Sequence, residues 1–265
     1  MKTRYHNLLA EVRKQYKIAL VADLHDHPYG TIIDSFSKEK PDFITVNGDI
    51  LYAAISGYGI FEHVPESPQH FNFTQYAQYF LKDAVQIAPV LFSTGNHELY
   101  LNEADKFFLK EIGVVFLDNS FCIIDDLVFG GLSSSYKYLA NTGTAFTKEE
   151  HRSRWDIVFS RVNTFWLDEF ERQEGYKILL SHHPEFYDRY LRSRNIDLIL
   201  SGHAHGGQIR LFGHGLFAYG QGLFPKYTDG LIDRKMIVSR GLSNTSWIPR
   251  IGNPTELVYV NLNPM

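Results

Sequence analysis

The stretch Ser93-Thr94-Gly95-Asn96-His97-Glu98 places two chemically useful side chains side by side. Asn96 offers an uncharged oxygen that can bind a cation, and the neighbouring His97 can carry a proton near neutral pH. Gly95 lets the chain turn tightly enough for both to face one cavity. Alone this is weak, because turns rich in Gly and Asn are common. Four other places strengthen it. Asp23 and His25 lie two apart, so on an extended chain they point to one side and reach one ion together. Asp49 follows Gly48 and can either cap a turn or ligate a metal. His182 and His183 stand together, and alternation does not say which one faces a site. His203 and His205 repeat the spacing of Asp23 and His25. The combined set is larger than one cation needs, and with Asp49 shared it fits two. Oxygen and imidazole donors without thiolate suit Mn²⁺, Fe, Zn²⁺ or a mixed pair.

Each of these residues follows an apolar run that reads as a buried strand: Tyr16 to Val21, Phe43 to Val46, Val90 to Phe92, Tyr176 to Leu180 and Ile196 to Leu200. In an open α/β sheet the carboxyl ends of strands converge on one crevice, so one site explains five polar strand ends better than five independent turns. Helices are expected over Gly30 to Lys40, Phe73 to Ile87, Glu103 to Ile112 and Asp188 to Arg194. A longer one should run to about Arg172, started by the capping box Thr147 and Glu150. Short strands at Val114 to Leu117, Phe121 to Ile124 and Leu127 to Phe129 make the sheet partly antiparallel. Late strands are expected at Ile209 to Phe212, Lys235 to Ser239 and Glu256 to Leu262. Two irregular stretches, 52–72 with Tyr52, Tyr58, Phe61 and Phe71, and 130–147, read as long loops, the first able to wall a substrate site. Pro28 ends the alternation that would carry His27 into the site, and His151 and Asp156 receive no role.

The 265 residues, 44% hydrophobic, suffice for one large domain, and a single domain over 1–265 is expected. A net charge of −4 argues against a polyanion-binding surface, and so against nucleic acid as partner. Cys122, the one cysteine, sits in an apolar run and reads as a buried, inert thiol, which excludes disulfides and thiolate metal sites. Met1 to Tyr16 mixes charges and has no apolar stretch long enough for a signal peptide or span, so a soluble cytoplasmic protein is expected, with peripheral membrane contact left open.

Taken in order, DxH at Asp23, GD at Asp49, GNHE at Asn96, a His after a strand and GHxH at His203 resemble the calcineurin-like metallophosphoesterase superfamily. The tail, from Gly202-His203-Ala204-His205-Gly206-Gly207-Gln208-Ile209-Arg210 through Gly220 to Tyr227 and Val238 to Leu242, is similar to a branch with YkuE-like and UDP-diacylglucosamine pyrophosphatase-like members. The resemblance implies two packed mixed β-sheets flanked by helices, a four-layer αββα sandwich. It assigns Asp23, His25 and His205 to one metal, Asn96, His182 and His203 to the other, and Asp49 to both. It also selects His182 over His183 and makes His97 the general acid. The implied activity is a dimetal phosphohydrolase that cleaves a phosphodiester or pyrophosphate in a small substrate by in-line attack of a metal-bridging hydroxide. A phosphomonoesterase and a non-catalytic metal-bound scaffold are the competing readings. Glu98 stands where many members have Asp, and loops 52–72 and 130–147 are longer than a minimal member needs, so substrate identity does not transfer. Arg210 and Arg240 are candidate phosphate contacts, with surface salt bridges as the alternative.

Overall fold

The protein is described by a computed structural model, which covers residues 1–52, 73–98, 101–134, 162–218, 220–244 and 248–265. Two six-stranded sheets carry the chain. The first runs in the order β1 (Lys2–Ala10), β16 (Glu256–Pro264), β2 (Tyr16–Val21), β3 (Phe43–Asn47), β4 (Val90–Ser93) and β5 (Val115–Phe116). β2 to β5 pair in parallel, β16 runs antiparallel to β2, and β1 runs parallel to β16. The second sheet runs in the order β14 (Gly230–Ile232), β15 (Met236–Val238), β9 (Leu198–Ser201), β8 (Tyr176–Ser181), β7 (Leu127–Leu132) and β6 (Ser120–Ile124). Its two outer pairs are antiparallel and the rest parallel, the mixed sheet expected from the closely spaced strands.

The two-residue period of the strands builds the layers. Ile18 and Leu20 of β2 face Phe129, Ile178, Leu180 and Leu200 of the other sheet in one buried cluster. Their neighbours Ala19 and Val21 turn the opposite way, onto Ile32 and Phe36 of α1 (Gly30–Glu39), Phe80 and Leu81 of α2 (Gln75–Ala84), and Leu109 of α3 (Glu103–Glu111). On the far side Val128, Leu179 and Ile199 pack against Leu167 and Phe170 of α4 (Leu167–Arg172) and Tyr187 and Leu191 of a π-helical turn (Tyr187–Leu191). The result is the four-layer αββα sandwich. Because both faces are covered, β2, β3, β8 and β9 read as near-continuous apolar runs, broken only by Lys17, Thr45 and Lys177 before their polar ends.

Several expectations need correction. β1 was not foreseen: its burial alternates along a polar segment that lies at the sheet edge. The stretch 130–147 does not begin as a loop, since β7 continues to Leu132; residues 135–147 lie outside the described residues. The Thr147–Glu150 capping box and loop 53–72 also lie outside them. The expected helix over Asp188 to Arg194 is the π turn, beginning at Tyr187. Cys122 is only half-buried, yet burial still pushes its thiol up to about 11, which disfavours the reactive thiolate. Two small hairpins, β10 (Arg210–Leu211) with β11 (His214–Gly215) and β12 (Phe217–Ala218) with β13 (Gly222–Leu223), fill the region between β9 and β14. Among the described residues, no helix is long and apolar enough to cross a membrane.

Candidate metal centre

Loops at the carboxyl ends of β2, β3, β4, β8 and β9 meet at one edge of the sandwich. Backbone bonds stitch them together: Asp23 N to Gly48 O at 3.2 Å, His25 N to Asp49 O at 3.0 Å, and Gly202 N to His182 O at 3.0 Å. Asn47 joins the two sheets, donating Nδ2 to Leu200 O at 2.8 Å while its own carbonyl lies 2.7 Å from His182 Nδ1. That carbonyl can only accept, which places the proton of a neutral His182 on Nδ1 and turns the Nε2 lone pair toward Asp49.

Proximity between Asp23 and His25 does not come from an extended strand, as their spacing had suggested. β2 ends at Val21, and Asp23 and His25 both take left-handed backbone, with φ 56° and 48°. Asp49, His203 and His205 do the same, at φ 55°, 65° and 46°. Each such non-glycine residue costs on the order of 1–2 kcal/mol, and strain of this kind gathers where surrounding structure holds a functional site together.

Two glycines make the close approach possible. A Cβ on Gly95 would lie 2.2 Å from Asp49 Oδ1, and one on Gly48, whose φ is +83°, would lie 2.4 Å from Gly95 N. Glu98 locks the same crossing. Its Oε2 accepts from Asp49 N at 2.8 Å and Gly95 N at 2.7 Å, and its Oε1 from Ile50 N at 2.9 Å and Leu51 N at 3.0 Å. Burial and the charge of Asp49 push this carboxyl up to about 7, against those four donors, which favour the ionised form.

Three overlapping groups can hold cations: Asp23, His25 and His205; His25, Asp49 and His97; and Asp49, His182 and His203, with ligand atoms in each group within 4.8 Å of one another. Asp23 Oδ1 lies 3.3 Å from His205 Nε2, Asp49 Oδ2 lies 3.1 Å from His182 Nε2, and His25 Nε2 lies 3.4 Å from His205 Nε2. Asn96 Oδ1 is buried without a hydrogen bond among the described residues, between Gly95 and His97, whose N–H donates to Asp49 Oδ1 at 2.9 Å. A buried amide oxygen left in this state fits a cation better than an empty contact.

Electrostatics agree with that donor set. Burial opposes ionisation of Asp23 and Asp49, but adjacent imidazoles hold both carboxyls well below the usual range, His205 and His182 for the first and above all His182 for the second. Burial drives His25 and His97 down, and His203 down to about 3, so their rings are neutral and need shed no proton to bind a metal. His182 moves the other way, up to about 10, because Asp49 outweighs its burial. The cluster therefore holds ionised carboxylates and mostly neutral imidazoles, a site suited to divalent cations.

His183 lies one layer back: Ser134 Oγ lies 2.9 Å from its Nε2, and its ring packs 4.3 Å from that of His203. With Glu185 and His203 it forms a fourth group of potential ligands beside the first three. His27 stays out, its Nδ1 2.7 Å from His25 O. Arg210 and Arg240 are committed elsewhere, both to Asp229 at 2.7 Å, in a network with Arg4 and Glu256. Their reading as phosphate contacts gives way to the salt-bridge alternative. Arg250, whose Nη2 lies 3.1 Å from His205 Nδ1, was missed, for no motif or period marks it.

The sequence profile of calcineurin-like phosphoesterases matches residues 16–207. The chain belongs to that family. Family membership makes it a metal-dependent phosphoesterase, a hydrolase. It is 24% identical to the uncharacterized protein YpbG of Bacillus subtilis (strain 168) over 251 residues, covering 92% of this chain and 80% of YpbG. Identity to the uncharacterized metallophosphoesterase Cj0846 of Campylobacter jejuni is also 24%, over 96% of this chain but 61% of that relative. The chain thus spans about three-fifths of Cj0846. Among solved structures, a novel archaeal phosphodiesterase aligns with 15% identity and a TM-score of 0.42, covering 85% of this chain and 84% of that one.

Proposed function

We propose that this phosphoesterase cleaves a phosphodiester or pyrophosphate bond in a small substrate, using two divalent cations held by Asp23, His25 and His205 on one side and Asn96, His182 and His203 on the other, with Asp49 between. The observation that carries the reading is the overlap of the ligand groups, since Asp49 belongs to the group around His25 and to the group around His182. When bound, such a pair of cations supplies a nucleophile from water at neutral pH and neutralises the phosphoryl oxygens. Oxygen and imidazole donors support Mn²⁺, Fe or Zn²⁺ in that role.

The chain's own residues do the rest. Gly48, Gly95 and Glu98 fix Asp49 at the crossing of two loops. Asn47 fixes the direction of His182. His97, with 12% of its side chain exposed, is the most accessible member of the centre and stands 3.9 Å from Asp49 Oδ2. Burial favours its neutral ring, which can hydrogen-bond a leaving oxygen, and makes the minor imidazolium form a stronger proton donor than usual. The unit that performs this reaction is one domain spanning 1–265.

The test is release of nitrophenol from bis(p-nitrophenyl) phosphate and from p-nitrophenyl phosphate with added Mn²⁺, each repeated after chelation. Chelator-sensitive turnover of the diester in excess of the monoester is expected. Preference for the monoester would replace the reading with a phosphatase, and no turnover of either by fully metal-loaded protein would replace it with a scaffold.

A further inference from the structure

Exposed apolar side chains gather on one small surface beside the centre. A few residues after His205, β10 and β11 form a hairpin that pairs Arg210 with Gly215 and Leu211 with His214. Ile251 bridges Ile209 on one flank, and on the other Phe224 N donates to Leu216 O at 2.9 Å. Leu223 stands opposite Phe217 in the next hairpin. Gly207 keeps this surface against the metal loops, since a Cβ there would lie 2.5 Å from Gly215 Cα. Arg210 turns its side chain inward to Asp229, whereas Phe212 is fully exposed, Phe224 and Leu223 are 80% and 74% exposed, and Leu211 and Ile251 are about half exposed.

Chance exposure does not explain the two phenylalanines. Phe212 and Gly213 are the central residues of a two-residue hairpin turn, at φ 51° and 87°. A turn with positive φ at both positions normally takes Asn or Asp before Gly. Phe224 is left-handed as well, at φ 53°. For a bulky side chain this backbone is a strained exception, and a fully exposed ring has no packing to offset it. Two strained aromatic rings on neighbouring turns, both directed into solvent, call for something outside the chain that receives them.

We propose that these turns dock the protein on an anionic membrane surface, with Phe212, Leu223 and Phe224 entering the boundary between headgroups and acyl chains. The apolar residues stand at turns and strand ends, where a fluid layer can receive each one separately. Charge supports the same occupant. Residues 208–251 carry six Lys and Arg but two Asp, in a chain of net charge −4. Behind Phe224, Lys226 reaches Asp188 at 2.6 Å, and Arg192 reaches Asp188 at 2.8 Å and Asp233 at 3.2 Å. With Arg189 and Arg234, also exposed, four cations surround two carboxylates. Apolar tips backed by cations suit the headgroup region of an anionic bilayer, whereas a second copy of this surface would bring like charges together. The inference does not depend on the two-cation reading above.

The experiment is flotation of the full chain with vesicles of phosphatidylcholine mixed with phosphatidylglycerol, and with vesicles of phosphatidylcholine alone, at low and high salt. Binding to the mixed vesicles that weakens with salt is expected, and much weaker binding to phosphatidylcholine alone. Phe212→Asn gives the turn a residue that its backbone favours, so the thermal midpoint should hold or rise while vesicle binding falls roughly tenfold. Phe212→Trp should bind as wild type does. Both variants should turn over a soluble chromogenic diester at the wild-type rate, because Phe212 lies outside the metal centre. Wild-type vesicle binding by Phe212→Asn, or no binding of wild type to either vesicle, would overturn the inference. So would a doubling of mass with concentration in light scattering that Phe212→Asn abolishes, which would assign the surface to a second copy of this chain.

Discussion

Gly95→Ala isolates how closely the centre is packed. Gly95 does not have a positive φ, so alanine meets no backbone penalty and the added methyl acts by contact alone. That methyl would lie 2.2 Å from Asp49 Oδ1, 2.7 Å from Asp49 N and 2.9 Å from Asp49 Cγ. Separating carbon from oxygen to ordinary contact requires a shift of about 1 Å. Asp49 has little freedom to give way, since His97 N holds Oδ1 at 2.9 Å and His182 lies 3.1 Å from Oδ2. Overpacking of this kind costs about 1–3 kcal/mol of stability. The larger consequence falls on catalysis, where misplacement by about 1 Å can cost roughly a hundredfold. We expect Gly95→Ala to fold, to lose about 1–3 kcal/mol in urea unfolding, and to lose about a hundredfold in kcat/KM on a chromogenic diester with saturating Mn²⁺. Turnover within threefold of wild type would refute the placement of Asp49 at the centre of the chemistry.

Other substitutions separate proton transfer, metal holding and stability. His97→Ala should bind Mn²⁺ as wild type does while kcat falls about 10²–10⁴-fold, and a parallel loss of metal in calorimetry would count against its role as acid. Asp49→Asn should lose both turnover and the coupled paramagnetic signal, because both ligand groups share that carboxylate; an intact coupled signal would argue against sharing. For Asp229, burial acts upward, but Arg240, Arg210 and Arg4 hold the carboxyl below its ordinary value. A depressed carboxylate contributes stability that is present above the unfolded value of about 3.9 and is lost as pH falls through the lower folded value. Metal-free wild type should therefore lose stability below about pH 4 more steeply than Asp229→Asn, as followed by circular dichroism, and identical slopes would show that the network contributes nothing there.

The sequence was most legible where burial is complete. β2, β3, β8 and β9 are covered on both faces, so their apolar runs and the polar clusters after them stand out. Edges were harder to read: β1 exposes every second residue and carries Lys2, Arg4 and His6, so it resembles a solvated arm until β16 is seen beside it. For the centre, residue types and order collected Asp23, His25, Asp49, Asn96, His97, His203 and His205, while the choice of His182 over His183 came from the family resemblance alone. Spacing gave the wrong reason for their convergence, because strand alternation says nothing of left-handed turns that begin after the strand has ended. The arginines were opaque for a further reason. Arg4 reaches Asp229 across 225 positions and Arg250 reaches His205 across 45, so only tertiary structure tells a committed guanidinium from an available one.

The place of β16 has a consequence for how the protein is made. It lies between β1 and β2, yet it is the last described strand to leave the ribosome. Until it arrives, β2 lacks its antiparallel neighbour, and Glu256 is absent from its ion pair with Arg4. The half-made sheet holds an open slot lined by Ile18 and Leu20, a surface that invites strand exchange with another nascent chain. Arg250 emerges just ahead of β16, so its bonds to the carbonyls of Arg240 and Ser243 and the closing of the sheet fall at nearly the same moment of synthesis.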